Sequence, residues 1–193
     1  SEYQPFRRML VKCKREIISL GIDDIRPSEF TGPYISPKEL KGILDEGHEI
    51  LLLDTRNDYE TRVGAFEGAI DLGISSFRQF PEAIESLPDE YKSMTLVMYC
   101  TGGIRCEKAS AVMLKAGFSD VRQLEGGVLG YFDECGGTHW DGDCFVFDQR
   151  VALDHQLGET EMEMCFKCRE PLSTEEQVSE KYVIGEHCPY CYK

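Results

Sequence analysis

Cys100-Thr-Gly-Gly-Ile-Arg-Cys106 stands between an apolar run, Thr95 to Tyr99, and a segment with helical patterning, Glu107 to Gly117. In parallel α/β sheets, ligands gather at the carboxyl ends of strands, and Cys100 occupies such an end just ahead of a helix start. Backbone N–H groups of the loop and first helical turn point at its sulfur, the helix dipole adds positive potential, and Arg105 adds a full charge. Each favours thiolate over thiol, so the pattern predicts a low-pKa nucleophile at Cys100. Gly102 and Gly103 let the backbone curl around an anion. Thr101, Gly102, Gly103 and Ile104 leave four residues between Cys100 and Arg105. That is one fewer than in the phosphate loop of cysteine phosphatases, and the tighter loop suits a single added sulfur atom better than a tetrahedral oxyanion. The competing reading is a buried structural cysteine; glycines, arginine and helix start occurring together weigh against it. Arg105 is expected to serve the site and not the core. Cys106 shares a helical stripe with Ala109 and Met113, which favours packing over a resolving thiol.

A second constellation lies near the end. Cys165-x2-Cys168, nineteen residues, then Cys188-x2-Cys191 fits the spacing of a four-cysteine zinc site. Four protein ligands leave no open position, so the zinc is expected to be structural. Redox dithiols and disulfides are the alternatives. The segment has little apolar material for a core, so metal is expected to supply much of its folding energy. Cys13, Cys135 and Cys144 have no partner spacing and read as packed or partly exposed thiols. No organic cofactor is evident: no flavin, haem or redox-iron motif is visible.

The elements that must position these groups follow a strand-and-helix rhythm. Met9 to Ile18 alternates enough for a strand, and the turn-rich IRPSEFTGPY sets a boundary near residue 31. Ser36-Pro37 opens a helix over Lys38 to Glu46, with serine as N-cap and proline in the first turn. Glu49 to Asp54, Leu96 to Tyr99 and Val121 to Leu124 read as strands buried on both faces. Ser76 to Leu87 reads as a helix stopped by Pro88, and the helix after Cys106 ends at Gly117. Strands separated by helices imply right-handed crossovers and a parallel sheet. The expected fold is therefore α/β, a parallel sheet flanked by helices. Residues 1–30 are an N-terminal strand and linker, 31–136 the sheet domain, and 137–193 a small zinc-binding module with one strand in its first part.

The 193 residues carry a net charge of −14, which argues against a general nucleic-acid binder. Residues 7 to 15 carry five basic groups and no acid, whereas residues 131 to 193 carry 14 acidic and 5 basic groups. No apolar stretch approaches the roughly 18 residues of a membrane span, so no membrane partner is expected. The start has no secretory-signal pattern; with the cysteine-pair spacing, this favours free thiols in a reducing cytoplasm.

Several segments carry a family resemblance. LLLDTRNDYETRVGAFEGAI (51–70), YCTGGIRCEKAS (99–110) and LEGGV (124–128) resemble the rhodanese domain, with its D-x-R-x-x-x-E segment and cysteine loop. PFRRMLVKCKREI, CTGGIRCEKAS, CFVFDQRVA and the terminal CPYCY resemble, more narrowly, the rhodanese-related tRNA uridine hydroxylases. The resemblance implies oxygen-dependent 5-hydroxylation of the wobble uridine, with Cys100 as the essential cysteine, and rhodaneses in general carry a persulfide there. It implies tRNA as partner, engaged with help from a domain that family members carry ahead of PFRRM, and a sulfur donor as a further partner. It also places Asp54, Arg56 and Glu60 beside the loop. Arg56 and Glu60 are spaced i,i+4, a common surface ion pair, and Asp54 is expected to anchor the loop from its strand end. Two other readings stay open: a thiosulfate-type sulfurtransferase, and a non-catalytic module that binds a partner through its acidic tail.

Overall fold

In the computed structural model, residues 9–14, 16–22 and 24–192 are described. Elements are numbered in chain order. β1 (Tyr34–Ile35), β2 (Leu51–Asp54), β4 (Ile70–Asp71), β5 (Thr95–Tyr99) and β6 (Asp120–Leu124) form one sheet, in the order β1-β6-β5-β2-β4. All four pairings are parallel. The apolar runs predicted as strands are these strands, with the first beginning at Leu51 and not Glu49.

Each strand's two faces feed separate cores. In register, Leu52 lies beside Val97 and Leu53 beside Met98. Leu53, Leu96, Met98 and Val121 face a layer made by α4 (Ile104–Lys115) and the segment around Phe77 and Phe80. Leu52, Val97, Tyr99 and Leu124 face α1 (Pro37–Asp45) and α5 (Gly127–Cys135), with Phe66 and Trp140 among them. The sequence dictates α1 locally: the Ser36 hydroxyl caps the Glu39 N–H, and the Glu39 carboxylate accepts from the Ser36 N–H at 3.0 Å, a reciprocal capping box.

The helix expected over Ser76–Leu87 is broken. It consists of a 3-10 turn (Phe77–Gln79), one α turn, α3 (Phe80–Ala83), and a second 3-10 turn (Ile84–Ser86). Pro81 sits in the first turn of α3, where it lacks an N–H and cannot continue a helix begun before it. The strand expected after Met9 is also absent. Residues 9–14 have no regular structure and are exposed; an alternating pattern without a neighbouring strand leaves its backbone groups to water. Of the basic run, Lys12 and Lys14 are exposed, while Arg7, Arg8 and Arg15 lie outside the described residues.

Over residues 137–153, three short strands replace the one expected. β7 (Trp140–Gly142) pairs antiparallel with β3 (Gly64–Phe66), setting Trp140 opposite Phe66. β8 (Cys144–Phe145) and β9 (Ala152–Leu153) form a hairpin, whose Phe145, Val151 and Ala152 pack with Val63 and Tyr59. This hairpin therefore sits on α2 (Asp58–Thr61) and its flank. β10 (Glu163–Met164), β11 (Pro171–Leu172) and the single turn α6 (Thr174–Gln177) carry the cysteine pairs. Arg62 ties that part to the rest, donating to Glu170 at 2.9 Å and to the Pro171 carbonyl at 3.2 Å, with its guanidinium 4.0 Å from the Tyr190 ring centre. Among the described residues, no helix is long and apolar enough to cross a membrane.

Candidate active site and candidate metal centre

β5 ends at Tyr99, and the four residues Cys100 to Gly103 turn the chain into α4, whose first turn carries Arg105 and Cys106. Gly103 caps that helix with φ +88°, a left-handed conformation that favours glycine. This geometry aims the Gly103 N–H at the Cys100 sulfur, 3.1 Å away. Gly102 is exposed, and a Cβ there would meet open space. Ile104 is the one large apolar loop side chain left half in solvent. Cys100 itself is only 2% exposed.

Its thiol is lowered to about 6. The first cause is a hydrogen bond from the Cys106 thiol; burial opposes it, and the Arg105 charge and the backbone N–H groups of Arg105 and Cys106 add to the lowering. Cys106 moves the other way: burial and the neighbouring Cys100 raise it well above an ordinary thiol. Cys106 is fully buried and its sulfur lies 3.7 Å from the Thr55 hydroxyl. It packs, as expected, and it also faces the reactive sulfur, which the stripe pattern did not reveal. Burial raises Cys144 to about 12, Cys135 is half-buried and Cys13 exposed.

The carboxylate at residue 60 was misread as a surface partner of Arg56. Glu60 is fully buried and receives Arg105 through both guanidinium nitrogens at 2.6 Å. Asn57 N–H and the Thr101 hydroxyl also donate to it, at 3.1 and 3.4 Å. Burial alone would lower the Arg105 pKa; Glu60 overrules it and the guanidinium is held firmly charged. Arg105 is itself 6% exposed. It is thus part of the buried polar core as well as of the loop, against the expectation that it serves the site alone.

Arg56 is also fully buried and binds Asp54 instead, with contacts of 2.6 to 3.1 Å, and donates to the Gly64 carbonyl at 2.6 Å. Its guanidinium lies 5.7 and 5.1 Å from the Tyr99 and Trp140 rings. Asp54 is spent on Arg56. The residue that fastens β2 to the foot of the loop is Thr55, whose N–H and hydroxyl both donate to the Tyr99 carbonyl, at 3.0 and 2.9 Å. From the other side, the first N–H groups of α5 hold the loop: Val128 donates to the Cys100 carbonyl at 3.0 Å and Leu129 to the Thr101 carbonyl at 3.1 Å. Gly127 makes that approach possible, because a Cβ there would lie 2.4 Å from the Cys100 oxygen. The LEGGV segment (124–128) thus does more than carry the family resemblance: its second glycine seats the cysteine loop. A double glycine following a strand of the same sheet was the available signal.

Cys165, Cys168, Cys188 and Cys191 place their sulfurs within 4.8 Å of one another. Pairwise separations are 3.5 Å (Cys168–Cys188), 3.8 Å (Cys188–Cys191) and 4.0 Å (Cys165–Cys191). A tetrahedron with metal–sulfur bonds of about 2.3 Å has edges of roughly 3.8 Å, so the cluster fits one ion. The core beneath holds Leu172 and the cysteines Cys165 and Cys188.

A model of the rhodanese-like domain matches residues 36–134. The chain is 49% identical over 196 aligned residues to the tRNA uridine(34) hydroxylase of Cupriavidus necator, covering 99% of this chain and 70% of that protein. It is 47% identical, with the same coverages, to the tRNA uridine(34) hydroxylase of Ralstonia nicotianae. Among solved structures, the rhodanese-like domain of an Anabaena sp. protein aligns with TM-score 0.48 and 26% identity, over 58% of this chain and 80% of that one.

Proposed function

The chain belongs to the family of rhodanese-domain tRNA uridine(34) hydroxylases, and from that premise we propose that it hydroxylates C5 of the wobble uridine of tRNA, with Cys100 as the reacting group. The observation that carries this reading is the Cys100 thiol lowered to about 6 in a loop of inward N–H groups, beside a guanidinium fixed by Glu60. Such a sulfur is anionic at neutral pH and needs no separate base to become nucleophilic. Thr101, Gly102, Gly103 and Ile104 form the wall of the cradle, and Arg105 and Cys106 hold the anion. Asp54 and Arg56 stiffen the ends of β2 and β5 from below. The tight loop favours a persulfide: the thiolate attacks the outer sulfur of a donor such as thiosulfate, the S–S bond breaks, and sulfite leaves with the electron pair.

The four terminal cysteines hold zinc in this reading. An all-thiolate tetrahedral set suits that ion, and its role is structural. The reading places the protein in a reducing cytoplasm, where none of its nine cysteines is drawn into a disulfide.

The test is mass spectrometry of wobble uridine in cells lacking the gene, restored with wild type or with Cys100→Ser. Wild type should restore 5-hydroxyuridine and Cys100→Ser should not; equal restoration overturns the reading. A thiosulfate-type sulfurtransferase is the second reading, favoured by the four-residue spacing of the loop. It predicts that incubation with thiosulfate adds about 32 Da to the Cys100 peptide, with sulfur passed on to cyanide or a thiol and no change in tRNA.

A further inference from the structure

Phe147 is an exposed aromatic ring that lies beside the cysteine loop. It is 62% exposed, yet it is held in place: its ring meets Phe145 edge-on at 5.1 Å and 89°. Phe145 is buried, and its carbonyl accepts from the Thr101 hydroxyl of the cysteine loop at 3.4 Å. The Arg105 guanidinium lies 5.7 Å from the Phe147 ring centre. That same guanidinium acts on the Cys100 sulfur. The hairpin of β8 and β9, closed beyond Phe145 by the Val146 N–H to Val151 carbonyl bond of 2.8 Å, thus presents the exposed ring of Phe147 next to the charged wall of the cradle.

Phe147 also lines a groove of about 1230 Å³, together with Gln149, Met162, Met164 and Phe166. Asp148, Glu159, Glu161 and Glu163 line it as well, with Arg169 as a cation among them. The carboxylates repel phosphate, so a nucleic acid that uses this face must keep its sugar–phosphate backbone outside the groove and present only a base to the Phe147 ring. Exposed aromatics are the usual stacking surface for single-stranded bases, since every base offers a π face. An anticodon-loop base is already unpaired, so swinging it out costs little.

We infer that Phe147 is the platform on which the target pyrimidine base stacks beside the Cys100 loop. This rests on the hydroxylase reading and adds to it the residue that holds the base. Stacking needs a π face, whereas packing needs only apolar bulk, and that difference makes the inference testable.

The gene is restored to deficient cells as wild type, Phe147→Ala, Phe147→Leu, Phe147→Tyr or Phe147→Trp, and the rate at which 5-hydroxyuridine reappears is followed. Alanine and leucine should slow it by roughly 5- to 150-fold, whereas tyrosine and tryptophan should stay near wild type. The purified variants should melt with wild type and keep the Cys100 alkylation midpoint near 6. In parallel, a tRNA anticodon stem-loop with 5-iodouridine at the wobble position is photo-crosslinked to the purified protein, and the adduct should map to Phe147. A leucine variant as fast as wild type, or an alanine variant that melts early and shifts the alkylation midpoint, overturns the platform while Cys100→Ser still tests the hydroxylase. A crosslink at Phe147 with Cys100→Ser fully active supports the platform and overturns the role of Cys100 instead.

Discussion

At the residue scale, the reactivity of Cys100 depends on who donates to its sulfur. Cys106 is the first cause of the lowered thiol and Arg105 follows after the opposing effect of burial. Iodoacetamide labelling of Cys100, read by peptide mapping, should therefore rise with pH through a midpoint near 6, and Cys106→Ala should move that midpoint upward by removing a donor. An unchanged midpoint in Cys106→Ala would show that the Arg105 charge and the backbone N–H groups set it without Cys106. The same shift enters stability. The native state loses this proton near pH 6, and the unfolded chain at about 8.5. Between those values unfolding takes up a proton, so stability rises with pH. The contribution is complete above the unfolded value and lost as pH falls through 6. The urea stability of wild type relative to Cys100→Ser should accordingly grow from pH 6 to 8.5, and a flat difference counts against a native thiolate. Arg105 obeys a harsher rule. Removing one partner of a buried pair leaves an uncompensated charge, at about 3–5 kcal/mol, and Glu60 is fully buried. Arg105→Ala should lose that much in urea unfolding. Arg105→Met with Glu60→Leu should regain most of it while the Cys100 midpoint stays raised. An Arg105→Ala protein as stable as wild type would mean that Glu60 finds water or another cation.

At the element scale, the loop is gripped between two helix starts. α4 begins at its end, and the first N–H groups of α5 bond its first two carbonyls. The two loop-side glycines differ sharply in what they need. Gly127 has φ +62° and no room for a Cβ, whereas Gly102 faces open space. Gly127→Ala should lower the melting temperature and displace the Cys100 alkylation midpoint; Gly102→Ala should leave stability within about 0.5 kcal/mol. Equal behaviour of the two would refute the grip. This scale also divides what was readable in the sequence from what was not. β2, β5 and β6 were legible because a strand buried on both faces must be continuously apolar, and α1 because Ser36-Pro37 and Glu39 carry its start locally. The Ser76–Leu87 segment misled because its apolar period outweighed Pro81, which the backbone cannot ignore. β7 was illegible as a three-residue strand, since its partner Gly64–Phe66 is remote in sequence. Glu60 was read by its nearest spacing, i,i+4 to Arg56, whereas its real partner stands 45 positions away.

At the scale of the whole molecule, two kinds of core coexist. The sheet has extensive apolar cores on both faces, while the cysteine module has Leu172 and the cysteine side chains. Tyr182 packs on them only partly buried, so the module has little apolar burial of its own, and ligation of the four thiolates is expected to contribute much of its folding energy. The purified protein should thus contain close to one zinc per chain. Chelation under reducing conditions should make residues from about 160 onward protease-sensitive. The sheet domain should survive, because Arg62 is its ion-pair tether to that module and its own cores lie elsewhere; Cys100 should still alkylate with its midpoint near 6. Cys188→Ser should reproduce the chelated pattern, as three thiolates cannot close the tetrahedron. Thiol titration accompanies the metal assay, so that disulfides formed across the pairs during purification are not mistaken for a metal-free site. A fully reduced, metal-free protein whose terminal segment resists protease as well as the untreated one would mean that Leu172 and its neighbours suffice, and the zinc reading would fall.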